Sequence, residues 1–198
     1  MVDGQFLPDR PIDLLAQGNY KTDVNLLAST VEDEGSFIFA LMFPQFRNVN
    51  PEPLELDQAK KVFFDYLSNH YLKGKTIPKE LIDKYYFSGL NSNLDDQNLY
   101  RKRTTIALGD VILGCPTLEF AKHVFKNAPN TAKVYQWYYK AKLGNNKLIC
   151  SKWAGTCHCD DLYPVFGIPF RQPDQYLDRE RDISNEVINF IKSFIRTG

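Results

Sequence analysis

Residues Val24–Val31, VNLLASTV, form a nearly continuous apolar run bounded by polar positions. That pattern predicts a strand buried within a parallel sheet rather than one with a wet face. The run ends in EDEGSFIF, where three acidic residues and Gly35 read as a loop at the strand's C-terminal end. In open α/β sheets ligands and reactive groups collect at such ends. Lys133–Ala141, KVYQWYYKA, is aromatic and β-branched and predicts a second strand.

Most of the remaining pattern has helical period. A short helix is expected over Ile12–Ala16, closed by Gly18. Residues 44–56 hold three prolines and read as an irregular excursion. Asp57 is placed as the cap of a helix running to about Tyr71, with Ala59, Phe63, Tyr66, Leu67 and His70 on one face. Further helices are expected over 79–87, from about Leu94 to Leu113 behind the Asp95/Asp96 pair, and over CPTLEFAKHVFKN with Pro116 in its first turn. The last, DISNEVINFIKSFIRTG, carries Ile183, Val187, Ile191, Phe194 and Ile195 at helical spacing. Two buried-type strands cannot satisfy both edges of a parallel sheet by themselves. The pattern therefore describes an α/β fold with few strands, many helices and an incomplete sheet.

Composition narrows the function classes. At 198 residues, 43% hydrophobic and 24% charged, the chain has a normal globular balance. Its formal net charge is zero and its basic residues are scattered, which argues against nucleic acid or an anionic membrane as a main partner. No apolar run approaches the ~20 residues of a membrane-spanning helix, and MVDGQFLPDRP has no apolar signal-peptide core.

The chemistry concentrates in GTCHCDDLYPVFG, where His158 stands between Cys157 and Cys159 and before Asp160 and Asp161. With Cys150 nearby, the residue types suit zinc, but structural sites need ligand pairs spaced on two arms. Three adjacent residues point in different directions, so no metal is expected. The four cysteines permit three pairings if oxidised, and Cys150 with Cys157 would close a short loop. His70 and His123 have no partner at catalytic spacing and read as structural. His158 differs, because Glu34 lies at the end of the other strand. A neutral imidazole acting as base needs a carboxylate to fix its tautomer and stabilise the imidazolium. Glu34 before His158 matches the order of the last two members of an α/β-hydrolase triad.

The blocks VDGQFLPDRP, STVEDEGSFIF, LGCPTLEFAKHV, VYQWYYKA, GTCHCDDLYPVFG and ISNEVINFIKSFIRTG resemble, in family order, the C-terminal part of the type-B carboxylesterase/cholinesterase family. The resemblance covers nearly the whole chain. It implies that residues 1–198 are the C-terminal part of an α/β-hydrolase domain that cleaves carboxylic esters without metal or cofactor. By the same resemblance Glu34 is the acidic member and His158 the general base of a Ser-Glu-His triad, while Phe37 and Ile38 line the substrate gorge. Family members are often secreted or held in the endoplasmic reticulum.

The family nucleophile is a serine in a G-x-S-x-G elbow, and no two glycines in this sequence stand four apart with serine between them. The Gly-rich oxyanion loop is also missing. The chain alone is therefore expected not to hydrolyse esters. Cys159 replaces the small residue, often glycine, that follows the family's histidine, and Tyr163-Pro164 reverses the usual proline-aromatic order. Cys115 takes the place of a cysteine that cholinesterases bridge to one near their C-terminal end. The competing reading is a cholinesterase-like adhesion or binding module without catalysis. Retention of both Glu34 and His158 favours hydrolase ancestry.

Overall fold

A computed structural model describes residues 2–47, 51–70, 78–91, 97–144 and 150–198. Helix α1 (Pro11–Gln17) is stopped by Gly18, whose left-handed conformation (φ 68°) lets its own N–H and that of Asn19 return to Leu15 and Leu14. Strand β1 (Leu26–Val31) follows, two residues shorter at its start than the apolar run. Helix α2 (Glu34–Met42) begins only two residues past the strand. This corrects the expected loop: the acidic triplet is a tight strand-to-helix turn, and acidic side chains suit a helix's electropositive first turn. A 3₁₀ turn over Pro44–Arg47 opens the proline-rich excursion.

Helix α3 (Leu56–His70) starts one residue before Asp57, so Asp57 lies inside the first turn rather than capping it. The anticipated face holds for Ala59, Phe63 and Leu67, all buried, whereas His70 is exposed with its ring tilted on Tyr66. Helix α4 (Lys79–Ile82) runs into a π-turn over Asp83–Phe87. Helix α5 (Gln97–Gly109) and helix α6 (Cys115–Asn127) were expected to be separate, but a π-turn over Asp110–Gly114 joins them. Pro116 supplies no N–H and crowds the carbonyl four residues back; the wider turn before it absorbs that misfit without ending the helix. The Asp95/Asp96 pair lies outside the described residues.

The merger also changes the reading of length. From Asn98 to Asn127 the helix is long and apolar enough to cross a bilayer by length and composition, although a third of that apolar window is buried within the fold. Tyr100, Thr104, Ala107 and Leu108 are fully buried where α5 packs on α2 and α3.

Strand β2 (Val134–Tyr139) lies parallel to β1, in register from Leu26 opposite Val134 to Val31 opposite Tyr139. Short helices α7 (Leu162–Val165) and α8 (Ile168–Arg171) precede the long α9 (Asp178–Thr197), which starts four residues before the expected stretch. Glu180 explains the earlier start, because its carboxylate accepts the N–H of Leu177 at 2.7 Å. Helix α9 covers one face of β2 through Phe190 on Trp137 and Phe194 on Tyr135. On the opposite face Tyr138 lines a small cavity with Gly109, Asp110 and Gly114, and α6 packs against both strands. The result is a two-stranded open parallel sheet between helices, with a core of Phe39, Phe46, Leu54, Phe63, Tyr100 and Leu108 beside it.

Two glycines set the helix spacing. A Cβ on Gly35 would fall 1.9 Å from the Thr105 carbonyl oxygen and 2.4 Å from the Gly109 nitrogen. Backbone therefore touches backbone where α2 crosses α5. That crossing fixes where α2 starts, and with it Glu34.

Candidate active site

Both strands end at the same edge of the sheet, and each leads toward a member of the candidate pair. Glu34 is the first residue of α2. Its Oε1 accepts the N–H of Val31, the last residue of β1, at 2.9 Å, so the strand end itself orients the carboxylate. The other oxygen, Oε2, lies 2.6 Å from Nδ1 of His158. Glu34 is 11% exposed and His158 36%. The acid is the more buried partner and the imidazole the more accessible one.

An ionised carboxylate only accepts, so Nδ1 carries the proton and Nε2 keeps the lone pair when the ring is neutral. Among the described residues no hydrogen bond reaches Nε2. The hydrogen bond that Nδ1 donates to Glu34 holds the His158 pKa above its ordinary value. Burial opposes this, and the charges of Glu34 and Asp161 add to the upward pull. Phe37, one turn into α2, stacks on the imidazole with ring centroids 5.7 Å apart and planes 21° apart. Ile38 follows on the same helix, half-buried and about 100° further round.

A loop separates His158 from β2, which ends at Tyr139. The chain leaves the sheet after Tyr139 and returns so that Cys157 forms an isolated parallel bridge with Asp33. The turn after it is self-bonded: the Asp160 carboxylate accepts the Cys157 N–H at 2.9 Å, and the Asp160 N–H reaches the Cys157 carbonyl at 2.9 Å. Cys159 has φ 73°, the left-handed region that favours glycine. This is the physical content of the glycine preference at that position. Cys150 and Cys157 are joined in a disulfide, which removes both thiols as ligands; Cys115 and Cys159 are free.

Asp161 entered the sequence reading only as a neighbour of His158. Its half-buried carboxylate accepts a hydrogen bond from Ser29 Oγ at 3.3 Å, and burial pushes its pKa up. The H-x-D-D pattern was the available signal for it, but its partner on β1 is not readable from spacing. A cavity of about 480 Å³ opens on the far side of Asp33, lined by Arg101, Lys102, Thr105 and Trp153 among others, and includes neither Glu34 nor His158. His123 is half-buried on α6 and contributes its main-chain oxygen to Tyr20.

Comparison with known proteins agrees with the fold. The model of the carboxylesterase family matches residues 1–198. The chain belongs to the carboxylesterase family. It is 25% identical to acetylcholinesterase of Bungarus fasciatus over 198 residues, covering all of this chain and 31% of that protein. It is 26% identical over 197 residues to acetylcholinesterase of Leptinotarsa decemlineata, and 28% identical over 200 residues to bile salt-activated lipase of Bos taurus. In each case the match covers all of this chain but only 30–31% of the relative's length. The two-stranded parallel sheet with its helices is thus part of an α/β-hydrolase domain of this family.

Proposed function

We propose that this chain is the C-terminal part of a type-B carboxylesterase domain and supplies the acid–base half of a serine esterase. Glu34 and His158 are the members it contributes. The observation that carries the reading is the 2.6 Å contact between Glu34 Oε2 and His158 Nδ1, with Nε2 left without a partner among the described residues. In that arrangement Nε2 takes the proton from an attacking serine hydroxyl and returns it to the leaving alcohol, while Glu34 stabilises the imidazolium between the two steps. The hydrogen bond to Glu34 raises the basicity of His158 and so strengthens Nε2 as a proton acceptor. Phe37 forms one wall beside the ring, and with Ile38 would face the bound ester. Because the sequence has no G-x-S-x-G serine, the acyl-enzyme must form on a residue the 198-residue chain does not carry.

The test is complementation. The chain alone should ignore fluorophosphonate probes and leave simple aryl esters unhydrolysed. Fused to, or co-expressed with, the upstream segment of a related esterase, it should gain probe labelling and turnover. His158→Ala should then lower turnover on the order of 10⁴-fold or more. Hydrolysis by the isolated chain would refute the half-site reading, and so would full turnover in His158→Ala. A complemented protein that is folded yet unlabelled and inactive would favour the binding-module alternative.

A further inference from the structure

Asp33 is buried to 2% exposure and precedes the proposed acid, yet it does not touch the imidazole. Its contacts run elsewhere. The Asp33 N–H donates to the Thr156 carbonyl at 2.8 Å, and its Oδ2 accepts the Thr156 N–H at 3.0 Å. Oδ1 accepts from the ammonium of Lys102 on α5. The Thr156 hydroxyl donates to the Lys140 carbonyl at 3.0 Å, tying the same segment to the end of β2. The ladder is thus handed over at one point: Glu32 still donates to Tyr139 of β2 at 3.0 Å, whereas Asp33 pairs with the returning segment.

On the side of the Thr156 segment the carboxylate leaves no space for a side chain at position 155. Gly155 has φ 67°, and a Cβ built there would lie 1.9 Å from Asp33 Oδ2. A glycine in the left-handed region and a buried acid therefore fit each other across the segment that delivers His158. Asp33 holds Thr156, two residues before His158, and is itself bonded in sequence to Glu34. One side chain sets the distance between the two strands of chain that carry the pair.

We propose that Asp33 is the positioning residue of this site, clamping the Thr156–His158 segment against the Glu34 turn so that Nδ1 and Oε2 stay within hydrogen-bond reach. The role rests on the reading of Glu34 and His158 as an acid–base pair, but it can be tested without esterase activity. Asparagine at position 33 keeps the shape and replaces one acceptor oxygen with a donor. Thr156 N–H and Lys102 both donate, so one of them loses its partner whichever way the amide turns. The titratable groups facing His158 are Glu34 and Asp161, and Asp33→Asn leaves both in place.

The experiment is NMR titration of the full 198-residue chain, with His158 assigned against His158→Ala. In the wild-type chain the His158 Nδ1 proton should resonate far downfield, and the ring should titrate above the ordinary histidine value. In Asp33→Asn the downfield signal should broaden or vanish and the His158 pKa should fall toward that ordinary value, with His70 and His123 unchanged. Lys102→Met is the gentler variant, since it removes the charge partner and leaves the Thr156 bond. It should move His158 in the same direction by less, and it serves where Asp33→Asn does not fold. A purely structural Asp33 would lower the unfolding midpoint and leave His158 as in the wild type; that result in a folded variant overturns the proposal. If instead His158 shifts as described while the complemented protein shows no esterase activity, the clamp stands and the proposed function fails.

Discussion

Gly35→Ala tests how the helix crossing governs the pair. An added Cβ would sit 1.9 Å from the Thr105 carbonyl oxygen, 2.4 Å from the Gly109 nitrogen and 2.9 Å from the Gly109 Cα. All three are backbone atoms, so no side-chain rotation relieves the overlap. Ordinary contact begins near 3.4 Å, so α2 and α5 must separate by about 1.5 Å along that line. Two effects oppose each other. Alanine gains at most about 1 kcal/mol of helix propensity over glycine, whereas forced overpacking typically costs about 1–3 kcal/mol and sometimes more. Because the overlap is backbone on backbone, the cost lies at the upper end, and the net loss should be about 2 kcal/mol or more. In a chain of this size that lowers Tm by roughly 4–8 °C. The same displacement moves Glu34, the adjacent residue, and a misplacement of about 1 Å can reduce a rate about 10²-fold. Urea denaturation and the His158 titration read the two consequences separately. Gly109→Ala should be milder, since its Cβ would approach Gly35 only to 2.7 Å. An unchanged midpoint for Gly35→Ala, or a larger loss for Gly109→Ala, would refute the reasoning.

Glu34→Gln should lower the His158 pKa, because a neutral amide stabilises the imidazolium less than a carboxylate does. The sign follows from the folded pKa lying above the ordinary 6.5. The stabilisation is complete below the unfolded value and is lost as pH rises through the folded one, so the wild-type advantage over Glu34→Gln should shrink across that window in urea titrations at successive pH values. Cys159→Gly should leave stability unchanged or raise it by up to about 1 kcal/mol. Relief of a left-handed conformation is worth about 1–2 kcal/mol, and the greater freedom of glycine in the unfolded chain offsets up to about 1. A fall in the urea midpoint would contradict the left-handed geometry.

The two strands were legible because their apolar and aromatic runs are local, and so was the face of α3 carried by Ala59, Phe63 and Leu67. Helix α2 was not. Its first turn holds the acids that read as a loop, and its apolar content, Phe37 to Met42, shows no polar face to mark a helical period. Pro116 suggested a break that the π-turn absorbs. The D-E-G-S and H-x-D blocks drew attention to Glu34 and His158 as residues. The returning segment that brings Cys157 beside Asp33, the bond from Ser29 to Asp161 and the bond from Thr156 to the Asp33 carboxylate join residues more than a hundred positions apart. No local pattern encodes such pairings.

The separation of Glu34 and His158 has a kinetic meaning. They stand 124 residues apart, and the chain between them includes five of the helices and β2. Closing a flexible loop of that length costs about 4 kcal/mol of chain entropy, against one partly exposed hydrogen bond worth about 1–3. The pair therefore cannot nucleate folding, and it forms only after the β1–β2 ladder has brought the ends together. Until β1 and β2 pair, His158 lacks the carboxylate partner that raises its pKa. Recovery of the raised His158 pKa during refolding should coincide with the last phase, which makes this imidazole a reporter on completion of the whole fold.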